Sequence, residues 1–383
     1  MLVLLAALPR LVYLVVHPPA DLHVYRALAD GLLRDGTLSI DGQPTTMYEP
    51  LYPMLLAAGR LAFGRPFLVD LLQIAVASIG AALLFRLALE LTCDVRVSTL
   101  AAVLYAIDPL LVREAAAHSE SALFTTLLIA FAATAVSAET PLAAGAAGLS
   151  LGLAMLTRTA AAPLLLLAPA ALLMQRAPRS AIILFATAAI VVLPLPLRNH
   201  ALNGSWWPTR SGVNLYIGNS PRTAALLPRE DLDELQVDAD RVVHERLPNV
   251  DALPGPAAEQ AIDQLLTAEA WRFMTAHPWR TAAAKIVNVG YVFSPRIIPY
   301  RQDEQPRPLA DVLAYAIFSS AITICAAVGV YLRRRRLGGD AVLWCIAATV
   351  IAVNVLYVPA TRYRAPMEFV LLFYAAAAIG RIA

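Results

Sequence analysis

The residues of this chain that can do chemistry are acids and arginines set beside apolar runs. Asp21 stands between the first apolar run and an amphipathic stretch. An aspartate there serves either as a helix N-cap or as a carboxylate at a membrane surface that takes a proton from an attacking hydroxyl. Glu49, within Tyr48-Glu49-Pro50-Leu51-Tyr52-Pro53, is either a solvated acid ahead of a helix that begins with proline or a second acid or metal ligand facing the same cleft. The segment REAAAHSE at 113–120 adds Arg113, Glu114, His118 and Glu120. Glu114 and His118 share a face if this stretch is helical, and His118 joins Glu49 as a candidate metal ligand. Arg113 and Glu114 also suit interface anchoring at a helix end. Glu120 opens an apolar span, where a charge is costly unless it has a task, which makes it the second candidate catalytic acid.

Arg158, Arg198, Arg362 and Arg364 lie at the ends of apolar runs. Each can snorkel to water, and together they are the groups that would surround a phosphate. Tyr25, Tyr48, Trp206, Trp207 and Tyr216 suit either the membrane interface or the face of a sugar.

The elements that must position these residues follow from composition. Of 383 residues, 59% are hydrophobic and 15% charged, and the mean hydropathy is +0.63. A soluble domain carries about 25% charged residues, so an ordinary cytosolic enzyme, a disordered chain and a nucleic-acid binder are excluded. The acids are uneven: 12 precede residue 199, 13 lie in 199–308 and 3 follow. A polar segment therefore interrupts an apolar, polytopic membrane chain. The net charge of +2 points to no anionic partner, and Lys285 is the only lysine beside 29 arginines, a base-composition bias. Cys93, Cys325 and Cys345 lie in or beside apolar spans without a CxxC, so neither a disulfide nor a metal site is implied.

Apolar spans fall at 1–17, 67–91, 97–112, 120–138, 142–157, 160–175, 181–197, 309–332, 340–358 and 365–382, which predicts about ten transmembrane helices. No small-residue cleavage site follows residues 1–17, so they read as a first membrane helix and not a signal peptide. Arg333 to Arg336 mark a cytoplasmic loop. The 18–66 loop, 113–119, Arg158, 199–308 and 359–364 then face outside. Residues 22–35 carry Leu22, Tyr25, Leu28, Ala29, Leu32 and Leu33 on one stripe, the pattern of a helix lying in the interface plane. A turn at Asp41-Gly42 and a second juxtamembrane stretch at 48–63 follow. Helices are expected at 230–246 and 257–275. The organisation is a membrane module at 1–198, an external domain at 199–308 and further membrane helices at 309–383.

The order of these segments resembles the GT-C glycosyltransferases, in particular bacterial relatives of protein O-mannosyltransferases and the lipid A aminoarabinose transferase. The resemblance rests on Asp21-x-x-x-Tyr25, EPLYP at 49–53, DPLLVREAAAHSE at 108–120, GLAMLTR at 152–158, LPLRNHALNGSWWPTRSGVNLYIGNSP at 195–221 and RYRAPMEF at 362–369. It implies an all-α polytopic fold and a sugar transferase using a polyprenyl-phosphate donor at the outer face of a bacterial cytoplasmic membrane. The acceptor would be a glycan, lipid or protein hydroxyl. The resemblance makes Asp21 catalytic, gives the second acid to Glu120 or Glu114, and gives a part in binding a divalent metal to Glu49. Asp21 is followed by Leu22, where many relatives have an adjacent acidic pair. The competing classes are a transporter or flippase and a membrane-anchored binding protein. A transporter would place ionisable groups near the midplane and often carry inverted repeats. No repeat is visible, and the ionisable groups cluster at the outer ends.

Overall fold

A computed structural model of the chain describes residues 1–17, 23–223, 232–296, 309–336, 338–358 and 360–382. The first loop opens with α2 (His23–Asp35) after α1 (Leu2–Val16), as the amphipathic stripe predicts. A ribbon comes next, in which β1 (Ser39–Ile40) pairs antiparallel with β2 (Gln43–Pro44). Asp41 and Gly42, at φ 50° and 79°, form its turn, the two-residue Asp-Gly connection that suits a hairpin. α3 (Leu51–Phe63) closes the loop. Among the described residues this ribbon is the sole sheet.

The membrane part continues with α4 (Pro66–Thr92), α5 (Val95–Ile107), α6 (Pro109–Ala116), α7 (Ser121–Val136), α8 (Pro141–Thr157), α9 (Leu164–Met174), α10 (Pro178–Val192) and α11 (Pro194–Asn203). Beyond lie α12 (Ser211–Gly218), α13 (Leu232–Arg246), α14 (Gly255–Ala276) and α15 (Pro278–Val292). The chain returns through α16 (Leu309–Arg333), α17 (Ala341–Leu356) and α18 (Ala365–Ile382). Three stretches, Phe67–Thr92, Pro178–Asn203 and Leu309–Arg336, are each long and apolar enough to cross a membrane among the described residues. Several shorter apolar helices stand beside them.

The span expected at 97–112 is broken. α5 and α6 meet at a 53° bend. Asp108 precedes Pro109, which drives it out of the helical region, to φ −60° and ψ 118°. Its side chain then caps α6 by accepting from the Leu111 N–H at 2.9 Å. The pair expected at 142–157 and 160–175 is separated at Arg158 by a short 3₁₀ turn, Thr159–Ala161.

The membrane core is rich in alanine, which lets helices approach closely. α8 packs against α10, and a Cβ at Gly148 would collide with the Leu184 carbonyl. Two arginines buried in this core show how an apolar solvent is met, by hydrogen bonding and by pairing. Fully buried Arg10 donates to the carbonyls of Ala6, Ala106 and Tyr105 at 2.7, 3.2 and 3.3 Å. Near the four-arginine loop, Arg333 pairs with buried Asp340 at 2.6 Å.

α12, α13 and α14 form a second, smaller core around Val213, Leu235, Ala239, Val243, Leu266 and Ala270. Val358, from the segment after α17, completes it. α13 and α14 are the two helices expected in the external domain, and α12 and α15 add helix that the turn-rich sequence there did not predict.

Candidate active site

A cavity of about 750 Å³ opens where the first loop, α7, the turn after α8, the α11–α12 connection and the 357–363 segment converge. Tyr25, Tyr48, Glu49, Glu120, Arg158 and Arg362, all expected at a site, line it. The sequence separates them by more than 300 residues, and the fold brings them to one wall.

Glu120 is the centre of that wall. The Tyr25 hydroxyl donates to its Oε2 at 2.6 Å, and Arg158 Nε lies 3.4 Å from its Oε1. Burial raises the Glu120 pKa, but Arg158 and the Tyr25 hydroxyl outweigh it and hold the carboxyl below its ordinary value. Arg158 also sits over the Tyr363 ring, 4.7 Å from its centroid. Arg362 donates to the Tyr363 hydroxyl at 3.0 Å. Glu49 Oε1 accepts from the Thr159 N–H and hydroxyl at 2.7 and 2.8 Å. Here burial wins, and the Glu49 pKa is raised. Two carboxyls in one cavity are thus pushed in opposite directions, the pattern by which an enzyme separates an anion from an acid.

The Glu120 loop is pinned from α4. Gln73 donates to the carbonyls of Ala115, at 2.9 Å, and Ala117. Its own Oε1 accepts from the Tyr52 hydroxyl at 2.7 Å, and Tyr52 packs edge-on against Tyr25. His118 faces Asp70, with Nε2 2.8 Å from Oδ1. α6 ends at Ala116, so Glu114 and His118 do not form the shared helix face expected of them. Glu114 lines the cavity but is buried.

A further wall is the 204–210 connection and α12. Glu259 of α14 accepts from the Thr46 N–H at 2.7 Å and from the Thr46 hydroxyl at 2.8 Å, and the Thr209 hydroxyl donates to that Thr46 oxygen at 2.8 Å. This staple fixes the connection against the first loop. It presents Trp207 and Arg210 to the cavity, with the Arg210 guanidinium 5.0 Å from the Tyr48 ring centroid. α12 can lie this close to α17 because Gly218 abuts the Tyr357 carbonyl, which a Cβ would strike.

The remaining expected residues lie elsewhere. Arg198 is not among the residues lining the cavity. It donates to the carbonyls of Thr45 and Leu38 at 3.0 and 3.2 Å and so braces the hairpin. Arg364 is buried beneath the cavity wall, bonded to Glu368 at 2.7 Å and to Tyr315 and Ser319. A guanidinium whose directions are filled in this way is a structural cation. Tyr216 donates to Asp238 at 3.2 Å in the smaller core, and Trp206 stacks on His200 with centroids 4.0 Å apart. Asp21 lies outside the described residues.

Of the expected metal ligands, Glu49 bonds Thr159 through Oε1 and His118 faces Asp70. Among the described residues no group of three His, Cys, Asp or Glu is placed to hold a divalent metal. Arg210 escapes notice in the sequence because it sits in a turn-rich segment of a polar domain, without the apolar flank that singles out the other arginines.

No protein-family model and no curated protein matches the sequence. Among solved structures, the chain is similar to the archaeal oligosaccharyltransferase AglB from Archaeoglobus fulgidus in complex with an inhibitory peptide and a dolichol-phosphate. The TM-score is 0.58 at 14% identity, over 100% of this chain and 50% of that one. The apo form of the Archaeoglobus fulgidus oligosaccharyltransferase gives 0.57 at 14%, again over 100% and 50%. ArnT from Cupriavidus metallidurans bound to undecaprenyl phosphate gives 0.46 at 13%, over 99% and 77%. The chain thus spans about half the length of the oligosaccharyltransferases it matches. At the level of fold, the likeness to the oligosaccharyltransferases agrees with the all-α polytopic fold expected from the sequence.

Proposed function

We propose that this chain transfers a sugar from a polyprenyl-phosphate donor to an acceptor hydroxyl at the outer face of a bacterial cytoplasmic membrane, inverting the anomeric carbon. The observation that carries the reading is the make-up of one cavity. Apolar residues of the membrane helices, Leu128, Val350 and Val353, share its lining with Arg158, Arg210, Arg362 and anionic Glu120. Such a cavity suits a lipid tail, a phosphate and a sugar in sequence. AglB was solved with a dolichol-phosphate, and a donor of that class suits these walls. A soluble nucleotide sugar does not, because the chain has no Gly-rich phosphate loop.

In the proposed step the acceptor oxygen bonds to the anomeric carbon as the carbon–oxygen bond to the phosphate breaks. The hydroxyl proton passes to Asp21, and the lipid phosphate leaves with the bonding electron pair. Attack from the face opposite the leaving group inverts configuration. The arginines stabilise the charge that grows on the phosphate. Glu120 orients Arg158 and, as an anion, favours the positive charge that develops on the sugar ring. Tyr25 and Tyr48 border the sugar.

The test is transfer by purified protein from a panel of radiolabelled polyprenyl-phosphate sugars, with Asp21→Asn alongside. Wild type should transfer label from one of them, and the variant should lose at least ~100-fold in turnover, the scale of a positioned base. Transfer from a soluble nucleotide sugar with no response to lipid-linked sugars would overturn the reading.

A further inference from the structure

The two walls of the cavity differ in how far their polar groups are satisfied. On the membrane side Glu49, Glu120, Arg158 and Arg362 each have a partner. On the side formed by 204–210, α12 and α14, two polar groups keep open capacity. The Asn214 side chain lines the cavity and has no hydrogen-bond partner among the described residues. Asp263 of α14 accepts from the Gly212 N–H at 2.6 Å through Oδ1, and Oδ2 remains to accept another bond. Trp207 is 56% exposed. The neighbouring Trp206 has its face covered by His200, whereas Trp207 has no ring partner among the described residues.

An open indole in the same lining as a carboxylate and a carboxamide matches one ligand class. A sugar ring has an apolar face of C–H groups and a rim of hydroxyls. The indole covers the face, the carboxylate accepts from hydroxyls, and the carboxamide both donates and accepts. A lipid acceptor would need an apolar wall here, and of the lining residues from 205–214 and α14 all but Trp207 and Pro208 are polar. A peptide acceptor would need an array of backbone partners, and the described residues of this wall offer no strand edge.

Resting on the transferase reading, we infer that this side of the cavity is a carbohydrate subsite for the acceptor, with Trp207 stacking on a sugar ring and Asn214 and Asp263 holding its hydroxyls. The acceptor is then a glycan, and the donor sugar lies deeper, against Glu120.

The test is saturation-transfer NMR on the full chain in nanodiscs. The probes are methyl glycosides of glucose, mannose, galactose, rhamnose and arabinose, with a serine-containing peptide as the competing class. At least one glycoside should bind saturably. Trp207→Ala and Asp263→Asn should each weaken it at least about tenfold, a loss of ~1.4 kcal/mol. Trp207→Phe should retain part of the affinity, and Trp279→Phe, on an exposed site in α15, all of it. Three results would overturn the subsite: no glycoside binding by protein that still binds undecaprenyl phosphate, glycoside binding indifferent to both weakening variants, or binding of the peptide alone. Displacement of the bound glycoside by undecaprenyl-phosphate glucose would move the subsite to the donor's sugar and refute the acceptor assignment. Glycoside binding by protein that fails to bind undecaprenyl phosphate would sink the transferase reading and leave the subsite standing.

Discussion

Arg158 has two roles in this reading, and one experiment separates them. It is 20% exposed and Glu120 15%, so the pair is largely withdrawn from water. At 3.4 Å the gross attraction is about 5 kcal/mol at an effective dielectric of about 20. Arg158→Gln removes it and leaves an uncompensated carboxylate. The cost of breaking a buried pair runs ~3–5 kcal/mol, and partial exposure together with the remaining Tyr25 bond puts this case near about 3. If Arg158 also contacts the donor phosphate, one charge-assisted contact worth ~1.5–3 kcal/mol goes with it. That weakens lipid-phosphate binding about 10- to 150-fold. Glu120→Gln provides the second background. Stability should be coupled: the double variant should recover most of the loss, because neither charge is left alone. Binding should not be coupled: Arg158→Gln should weaken undecaprenyl-phosphate binding by the same factor with Glu120 or Gln at position 120. Chemical denaturation and binding to fluorescent undecaprenyl phosphate read the two quantities on the same four proteins. If the binding loss vanishes in the Glu120→Gln background, Arg158 acts only by holding Glu120, and its role at the phosphate is refuted.

Arg210→Ala should weaken lipid-phosphate binding at least about tenfold with little change in stability, whereas Arg198→Ala should destabilise the first loop with its hairpin and leave that binding within about twofold; the opposite pattern in a paired binding and denaturation assay would exchange their roles. Tyr25→Phe removes the donor to Glu120 and should raise the pH at which activity is lost on the acid side, because the hydroxyl helps hold the Glu120 pKa down; an unchanged acid limb of the pH–rate profile would refute this. Burial lowers the Lys285 pKa from 10.5 to about 8. Between those values the unfolded chain holds more protons, so stability should rise with pH there, and Lys285→Met should abolish that rise in thermal melts at pH 7.5–10. Cysteines placed at Gly338 and Ser211 should label from opposite sides of the membrane, and labelling of both from one side would overturn the topology.

Much of the fold is legible in the sequence because the signals that define it are local. The stripe at 22–35 marks the interfacial helix, Asp41-Gly42 the turn, and the acid-rich stretch after 230 the helices of the external domain. The broken span at Asp108 is not legible from hydropathy, which is blind to a bend between two apolar helices. The Asp-Pro pair at 108–109 nevertheless carries the information: proline forbids continuation of α5, and aspartate caps α6. The buried charges are equally hidden. Arg10 sits in an apolar run, and the carbonyls of Ala6, Ala106 and Tyr105 make it tolerable there.

The candidate site divides along a physical line. An acid or arginine beside an apolar run is visible because its position there needs a reason, and Glu120, Arg158, Arg362 and Glu49 stand out in that way. The same argument singles out Arg198 and Arg364, whose reason proves to be different: one braces carbonyls of the first loop, the other neutralises Glu368 under the wall. Sequence position shows that a charge needs partners, and only the fold shows whether those partners are protein or substrate. Arg210 is the converse case. In a polar segment a charge needs no excuse, so nothing marks it. What makes it a candidate is the Thr46–Thr209–Glu259 staple, which joins parts of the chain some 200 residues apart and holds the 204–210 connection against the cavity. The sequence therefore exposes functional charges on the membrane side of such a site more readily than on its polar side, where acceptor recognition is proposed to lie.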